Sequence, residues 1–332
     1  MRFLCWIFLV LTCACGARSE LDGGGSGAGG GHDTSCNEPP WILFDYSDGH
    51  SGFGISAIRL DGSSFHTLDL GEVLTSDPSI SPDGASLLYI TSSNDEDQSL
   101  MLLDLATRMK RTIVHKTNQP LGSGIGRAAV SPDNTLIAYG DSLNLNLVAF
   151  DGSNNHVLVD GPYEAGCCLW GYGRATFSGD SSTVFFSTVG RLESIHTDGS
   201  SRQLLEQDQA FTNPSIPGFI FPAPSLSPDF ANIVAEVACD VTELRIYPVA
   251  ALPGDACSTG TKLVETHLSM ASNEASNPSW SPASLIAYDD GADIFVIDST
   301  GGAPKNLTAS ITGAQGASAS SPVWAPGCAN IP

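Results

Sequence analysis

The sequence predicts an all-β fold: a six-bladed β-propeller of four-stranded antiparallel blades, with N- and C-terminal strands sharing one blade. Three observations predict it. The hairpin "PSISPDGASLLYI" at residues 78–90 returns at a steady interval, each return is followed by two more short apolar runs, and the head and tail of the chain each hold part of one further unit.

The hairpin comes first. It recurs as "AAVSPDNTLIAYG" from Ala128, "ATFSGDSSTVFFS" from Ala175, "PSLSPDFANIVAEV" from Pro224 and "PSWSPASLIAYDD" from Pro278, and the chain ends on a partial copy, "SPVWAPGCANIP". With the serine before the turn as marker (Ser81, Ser131, Ser178, Ser227, Ser281, and Ala325 in the last copy), the intervals are 50, 47, 49, 54 and 44 residues. A period of about 50 residues belongs to propellers and solenoids. The third and fourth runs follow, as in "LNLVAFDGSNNHVLV" and "RLESIHTDGSSRQLL". Asp151-Gly152 and Asp198-Gly199 stand where a tight hairpin between them needs positive φ. No 3.6-residue periodicity runs through the region, which argues against a helical array.

These units resemble the TolB-type, WD-like propeller repeat: a strand ending in an apolar residue, then Ser-Pro-Asp-Gly, then an apolar strand ending in an aromatic. Ser81-Pro82-Asp83-Gly84 with Tyr89, Ser131-Pro132-Asp133 with Tyr139, Ser227-Pro228-Asp229, and Trp280-Ser281-Pro282 with Tyr288 carry the resemblance. It covers nearly everything after Cys36 and implies a propeller. Departures are Gly179 for Pro, Asn134 and Phe230 for Gly, and Ala283 for Asp. TolB has a further domain ahead of its propeller, so the resemblance carries the fold and not TolB's partners.

Ring closure follows from the fragments. The tail supplies a first strand, "SPVWAPG", and the head, "PPWILFDYSDGHSGFGISAIRLDGSSFHTLDL", supplies a second, third and fourth but no first. Together they complete a sixth blade and remove exposed sheet edges. The same closure is expected to bring Cys36 beside Cys328 as a disulfide. Cys239 and Cys257 flank one third strand and form a second expected pair, while the adjacent Cys167 and Cys168 are either free or joined to each other.

Ahead of the propeller (residues 39–332), residues 1–14 read as a signal peptide, with Arg2 before an apolar run too short to span a bilayer. The segment Leu11-Thr12-Cys13-Ala14-Cys15-Gly16 resembles the lipobox of bacterial lipoproteins, which implies lipidation of Cys15 and anchorage in the cell envelope. Thr12 stands where lipoboxes usually carry Leu, and secretory cleavage near Ala17, giving a soluble periplasmic protein, is the alternative. Residues 15–38 are a Gly-rich tether with a reach of roughly 25 Å.

The chain has 332 residues, of which 36 are acidic and 14 basic, for a formal charge of -22. That balance excludes nucleic acid as a partner, since no surplus of Lys and Arg exists to neutralise phosphates. The acids gather in the connections between second and third strands: Asp45 and Asp48, then Asp95, Glu96 and Asp97, then Asp141, and finally Asp289, Asp290 and Asp293. Three of these groups become neighbours on closure, which predicts an acidic arc on one face. Trp170 and Tyr172, in a long connection between blades on that face, are candidate recognition residues. Calcium has only weak support from "DDGAD" and "NDED", neither of which matches an EF-hand or an RTX repeat, so no cofactor and no metal site are expected. Enzyme signatures fail: "GHSGF" lacks the second Gly of a nucleophile elbow, and "GSGIG" leads into a strand rather than a helix. The expected function is a monomeric, non-catalytic binding or scaffold propeller of the envelope that presents loops to a protein, peptide or glycan. The alternative is a propeller lyase or hydrolase with acids at the channel mouth.

Overall fold

In the computed structural model the described residues are 38–50, 52–72, 74–93, 97–117, 124–141, 144–161, 174–188, 191–207, 223–238, 242–253, 257–266, 276–313, 316–327 and 329–332. They belong to one compact unit, Asn37–Pro332. The candidates Asp95, Glu96, Trp170 and Tyr172, Cys15 with the rest of the leader and tether, and Cys36, Cys167, Cys168, Cys239 and Cys328 all lie outside the described residues. Among the described residues no helix is long and apolar enough to cross a membrane.

Six four-stranded antiparallel sheets form the body. Blade 1 contains β1 (Trp41–Ser47), β2 (Phe53–Arg59), β3 (His66–Thr67) and, as its innermost strand, β24 (Ser318–Ala325). Blade 2 runs from β4 (Leu74–Ile80) through β5 (Ser86–Ser92) and β6 (Gln98–Asp104) to β7 (Lys110–Lys116). Blades 3 to 6 open on the inner strands β8 (Ile125–Val130), β12 (Thr176–Phe177), β16 (Ser225–Leu226) and β20 (Ser276–Trp280). Their second strands are β9 (Leu136–Asp141), β13 (Thr183–Thr188), β17 (Asn232–Ala238) and β21 (Leu285–Asp289).

Head and tail do share a blade: Trp41 pairs with Ala325 and Ile42 with Trp324. Arg59 clasps both ends of the shared blade, donating to Pro39 O at 2.5 Å and Gly327 O at 2.8 Å while its guanidinium lies 3.8 Å from the centre of the Trp41 ring. Apolar residues on both faces of the middle strands fill the space between blades. Ile42, Phe44 and Ile58 of blade 1 pack with Ala287, Ile294 and Val296 of blade 6, and Leu43, Ile55 and Ala57 pack with Leu87, Tyr89 and Leu103 of blade 2.

Each marker serine builds its turn in the same way. Ser81 Oγ donates to Asp83 Oδ1 at 2.6 Å and accepts the Ser86 N–H at 2.9 Å, and Ser131, Ser178 and Ser227 repeat both bonds with their own residues. The hydroxyl bonds hold the Asp133, Asp180 and Asp229 carboxyls below the usual range, Asp180 at about 2.

Three residues past each marker the backbone is left-handed: Gly84, Asn134, Ser181, Phe230 and Ser284 have φ of 71, 56, 62, 57 and 62°. At this position a residue of one blade reaches back to the residue after the marker in the preceding blade. A Cβ on Gly84 would come within 2.7 Å of Pro326 Cγ, and a Cβ on Gly179 within 2.6 Å of the Phe230 ring. Two departures from the repeat therefore explain each other. Phe230 occupies the glycine position, so its neighbour Gly179 gives up the proline. Gly179→Ala is expected to cost about 1–3 kcal/mol, and the Phe230→Gly background should remove most of that cost. Urea midpoints of the four chains in this cycle test the coupling; additive effects would refute it.

Candidate functional site: the central channel

The inner strands line the channel, and one position on or just ahead of them, four residues before each marker, supplies a ring that is polar in five of six blades. Around the ring this position is Ser321, Asp77, Arg127, Arg174, Ala223 and Asn277. It coincides with a bulge in β4, β8, β20 and β24, where the register with the second strand slips. Asp77, Asn277 and Ser321 adopt φ of 53, 52 and 62°, and each is followed by a proline, which cannot donate to the ladder.

A bulge frees a backbone N–H that must find another acceptor. In two blades the acceptor is an aspartate from the second strand of the preceding blade. Asp45 Oδ1 accepts Asp77 N–H at 2.9 Å, and Asp289 Oδ2 accepts Ser321 N–H at 2.9 Å. Asp289 also accepts from Ser276 Oγ at 3.0 Å and Asn277 Nδ2 at 2.8 Å. Asp45 and Asp289 occupy equivalent places in adjacent blades and are 6% and 1% exposed. They therefore join blades at the channel wall, whereas the sequence placed them in exposed connections.

Arg127 neutralises this acidic lining. Its Nε donates to Asp77 Oδ1 at 2.8 Å, Nη1 donates to Asn277 Oδ1, and Nη2 donates to Ser321 Oγ at 2.5 Å, so one side chain ties blade 3 to blades 2, 6 and 1. Burial acts to lower the Arg127 pKa, but the charge and hydrogen bond of Asp77 outweigh it and hold the value above the ordinary one. Burial, then the nearby Asp77, push the Asp45 carboxyl up to about 8 against the pull of Arg127. Burial likewise raises Asp289.

The shift sets a pH dependence. Between the unfolded pKa and about 8 the folded chain holds a proton on Asp45 that the unfolded chain has lost, so stability falls as pH rises through that window. Asp45→Asn keeps the acceptor for Asp77 N–H and removes the titration. The variant should gain on the parent by a few kcal/mol between pH 5 and pH 8, read as the change in the difference of urea unfolding free energies. A difference independent of pH would refute the assignment.

The remaining acids are engaged locally. Asp141 is 7% exposed, forms an ion pair with Lys116 and accepts from Asn144 N–H at 2.7 Å and Asn146 Nδ2 at 2.9 Å. Asp48 Oδ1 accepts the N–H groups of His50 and Gly52 at 2.8 and 2.9 Å. Asp290 Oδ1 accepts from Ala292 and Asp293 N–H at 3.0 and 2.8 Å. Asp293 accepts from Thr308 Oγ1 and Asn306 Nδ2, both at 2.9 Å, and from Thr312. Asp97 closes its loop by accepting Ser93 N–H on its backbone carbonyl at 3.2 Å. Local contacts thus use the carboxylates of Asp48, Asp141, Asp290 and Asp293 that the sequence offered to a ligand, and among the described residues no group of three His, Cys, Asp or Glu is set to hold a metal.

Sequence reasoning missed Asp77, Arg127, Arg174, Asn277 and Ser321. The signal was present: "SDPSI", "SNPSW" and "SSPVW" each put a small polar residue before proline at a fixed distance ahead of the marker.

No protein-family model and no curated protein matches this sequence. Solved structures do match. TolB from Acinetobacter baumannii aligns over 86% of this chain and 67% of its own, with a TM-score of 0.62 at 16% identity. Putative TolB from Agrobacterium tumefaciens aligns over 81% and 88%, with a TM-score of 0.47 at 14% identity, and Kuenenia stuttgartiensis hydrazine synthase over 69% and 64%, with a TM-score of 0.43 at 16% identity. With six blades closed through a shared one and turned on Ser-Pro-Asp, the chain has the fold of a TolB-like β-propeller.

Proposed function

We propose that this protein is a non-catalytic binding propeller of the bacterial cell envelope, exported and held by a lipid on Cys15, whose loop-bearing rim grips a protein, peptide or glycan. The observation that carries this reading is the chemistry of the rim. Second strands end and inner strands begin there, so Phe53 at the start of β2 and Leu74 at the start of β4 stand at the same end of their blades. They are 44% and 39% exposed, beside the acidic turn of Asp48. Exposed apolar side chains within a polar, charged border are what a recognition surface offers. The stretches 162–173 and 208–222 of the blade-to-blade connections carry further aromatics, Trp170 and Tyr172 among them.

Against turnover stands the state of the channel. Its carboxylates and Arg127 meet, but Arg127 spends all three nitrogens on side chains of the ring, and Asp45 and Asp289 are taken by backbone N–H groups of the next blade. Cys257 is disulfide-bonded, and we assign Cys239 as its partner, with Cys36 to Cys328 as the second bond; both suit an oxidising compartment.

The test is cross-linking of the full chain in envelope fractions, compared with a Phe53→Ser, Leu74→Ser variant that leaves the core intact. Loss of the cross-linked species is expected. The same species at the same yield would remove the rim from consideration. Labelling with a fatty acid that fails to mark the chain, or that marks a Cys15→Ala variant equally, would dismiss the anchor.

A further inference from the structure

Arg174 precedes β12 at the same ring position as Arg127, one blade on, and the two guanidiniums have opposite circumstances. Arg127 donates from each of its three nitrogens to a ring side chain. Arg174 is 8% exposed, its Nη1 donates only a long 3.4 Å bond to Pro322 O of β24, across the channel, and its Nη2 is buried with no hydrogen-bond partner. Among the described residues it forms no ion pair. Asp77 and Asp289 are committed to Arg127, Asn277, Ser276 and the Ser321 N–H, and Asp45 to the Asp77 N–H. Burial, then the charge of Arg127, depress the Arg174 pKa to about 10, while Asp77, Asp289 and Asp45 hold it up. A buried cation with an idle donor is costly unless something supplies an acceptor.

We propose that Arg174 makes the channel a carboxylate-binding site. A carboxylate brings two coplanar acceptors that match the fork of Nη1 and Nη2, and the bond from Nη1 to Pro322 O is long enough to be exchanged for a better one. The ligand carries a single negative charge, because the Asp77 carboxylate bears on the same guanidinium and would oppose a phosphate dianion. Its source is either a small organic acid or the end of a peptide chain. Arg127 is the weaker candidate receptor, since each of its three nitrogens already donates to a ring side chain. The site goes beyond the rim described above and stands without it, because none of its groups belongs to the rim.

The test uses the full chain and three probes: sodium acetate, trialanine and trialanine amide, each against sodium chloride at equal ionic strength. Acetate or trialanine should shift the Arg174 side-chain nitrogen resonances saturably and raise the unfolding temperature, and chloride should do neither. Arg174→Gln should weaken the effective probe at least about tenfold, with Arg174→Lys in between. Binding of acetate assigns a small acid. Binding of trialanine without acetate, lost in the amide, assigns a peptide end. Equal responses to probe and chloride, or a response unchanged in Arg174→Gln, would overturn the proposal. If Arg174→Gln does not fold, the parent decides alone: Arg174 resonances that ignore both acetate and trialanine overturn it.

Discussion

A chain ended at residue 317 should lose cooperative unfolding and associate, although every strand of blades 2 to 6 is still present. The strand removed, β24, carries the inner edge of blade 1 along its pairing with β1. It also carries Trp324, 7% exposed, whose indole N–H donates to Ser279 O of blade 6 at 2.8 Å, and Ser321, which receives Arg127 and donates its N–H to Asp289. Trp324→Ala alone should cost about 3–5 kcal/mol through lost burial and cavity, a large share of the 5–15 kcal/mol a domain ordinarily has. Deletion adds an unpaired β1 edge between two blades, a template for another chain. Urea unfolding followed by fluorescence, with sizing chromatography, measures both effects. A peptide of residues 318–332 added in trans should restore part of the transition. A truncated chain with the parental midpoint and a monomeric profile would show that the ring does not depend on its closure.

The architecture could be read from the sequence because its determinants repeat. A serine and a turn are visible five times, four of them followed by an aromatic (Tyr89, Tyr139, Phe186 and Tyr288), so a lapse such as Gly179 or Phe230 does not hide the period, and the missing first strand at the head matches the spare one at the tail. The site was less legible because its residues do not repeat as types. The ring position holds Asp, Arg, Arg, Ala, Asn and Ser, and only its distance from the marker and the proline after three of its members are shared. Asp45 and Asp289 were visible as acids but misplaced, since each follows the aromatic that ends an apolar run and so looked like the first residue of a loop. The bulge in the next blade makes the difference: it releases an N–H toward the channel, and a carboxylate one blade back is the group that takes it. That relation joins residues 32 apart in sequence in both cases, from Asp45 to Asp77 and from Asp289 to Ser321, and no local pattern announces it.

Arg127→Met should be the most damaging single substitution in the channel, with a cost of about 3–5 kcal/mol at pH 8. Methionine keeps most of the unbranched stem, so packing changes little, and the loss is that of a counter-charge for Asp77, Asp45 and Asp289. Arg127 lowers the pKa of both Asp45 and Asp289 in the folded chain. Removing it moves both further up, and the folded state then holds protons that the unfolded state has released. The penalty must therefore grow as pH rises from 5 to 8 and shrink toward pH 5, where Asp45 is neutral in either chain. Asp45→Asn in the same background should recover part of the loss at pH 8 and little at pH 5. A cycle of the four chains, unfolded in urea at both pH values, separates charge from packing. A penalty of the same size at both would mean that Arg127 acts through its ion pair with Asp77 and its hydrogen bonds alone, and its coupling to the Asp45 and Asp289 titrations would have to be abandoned.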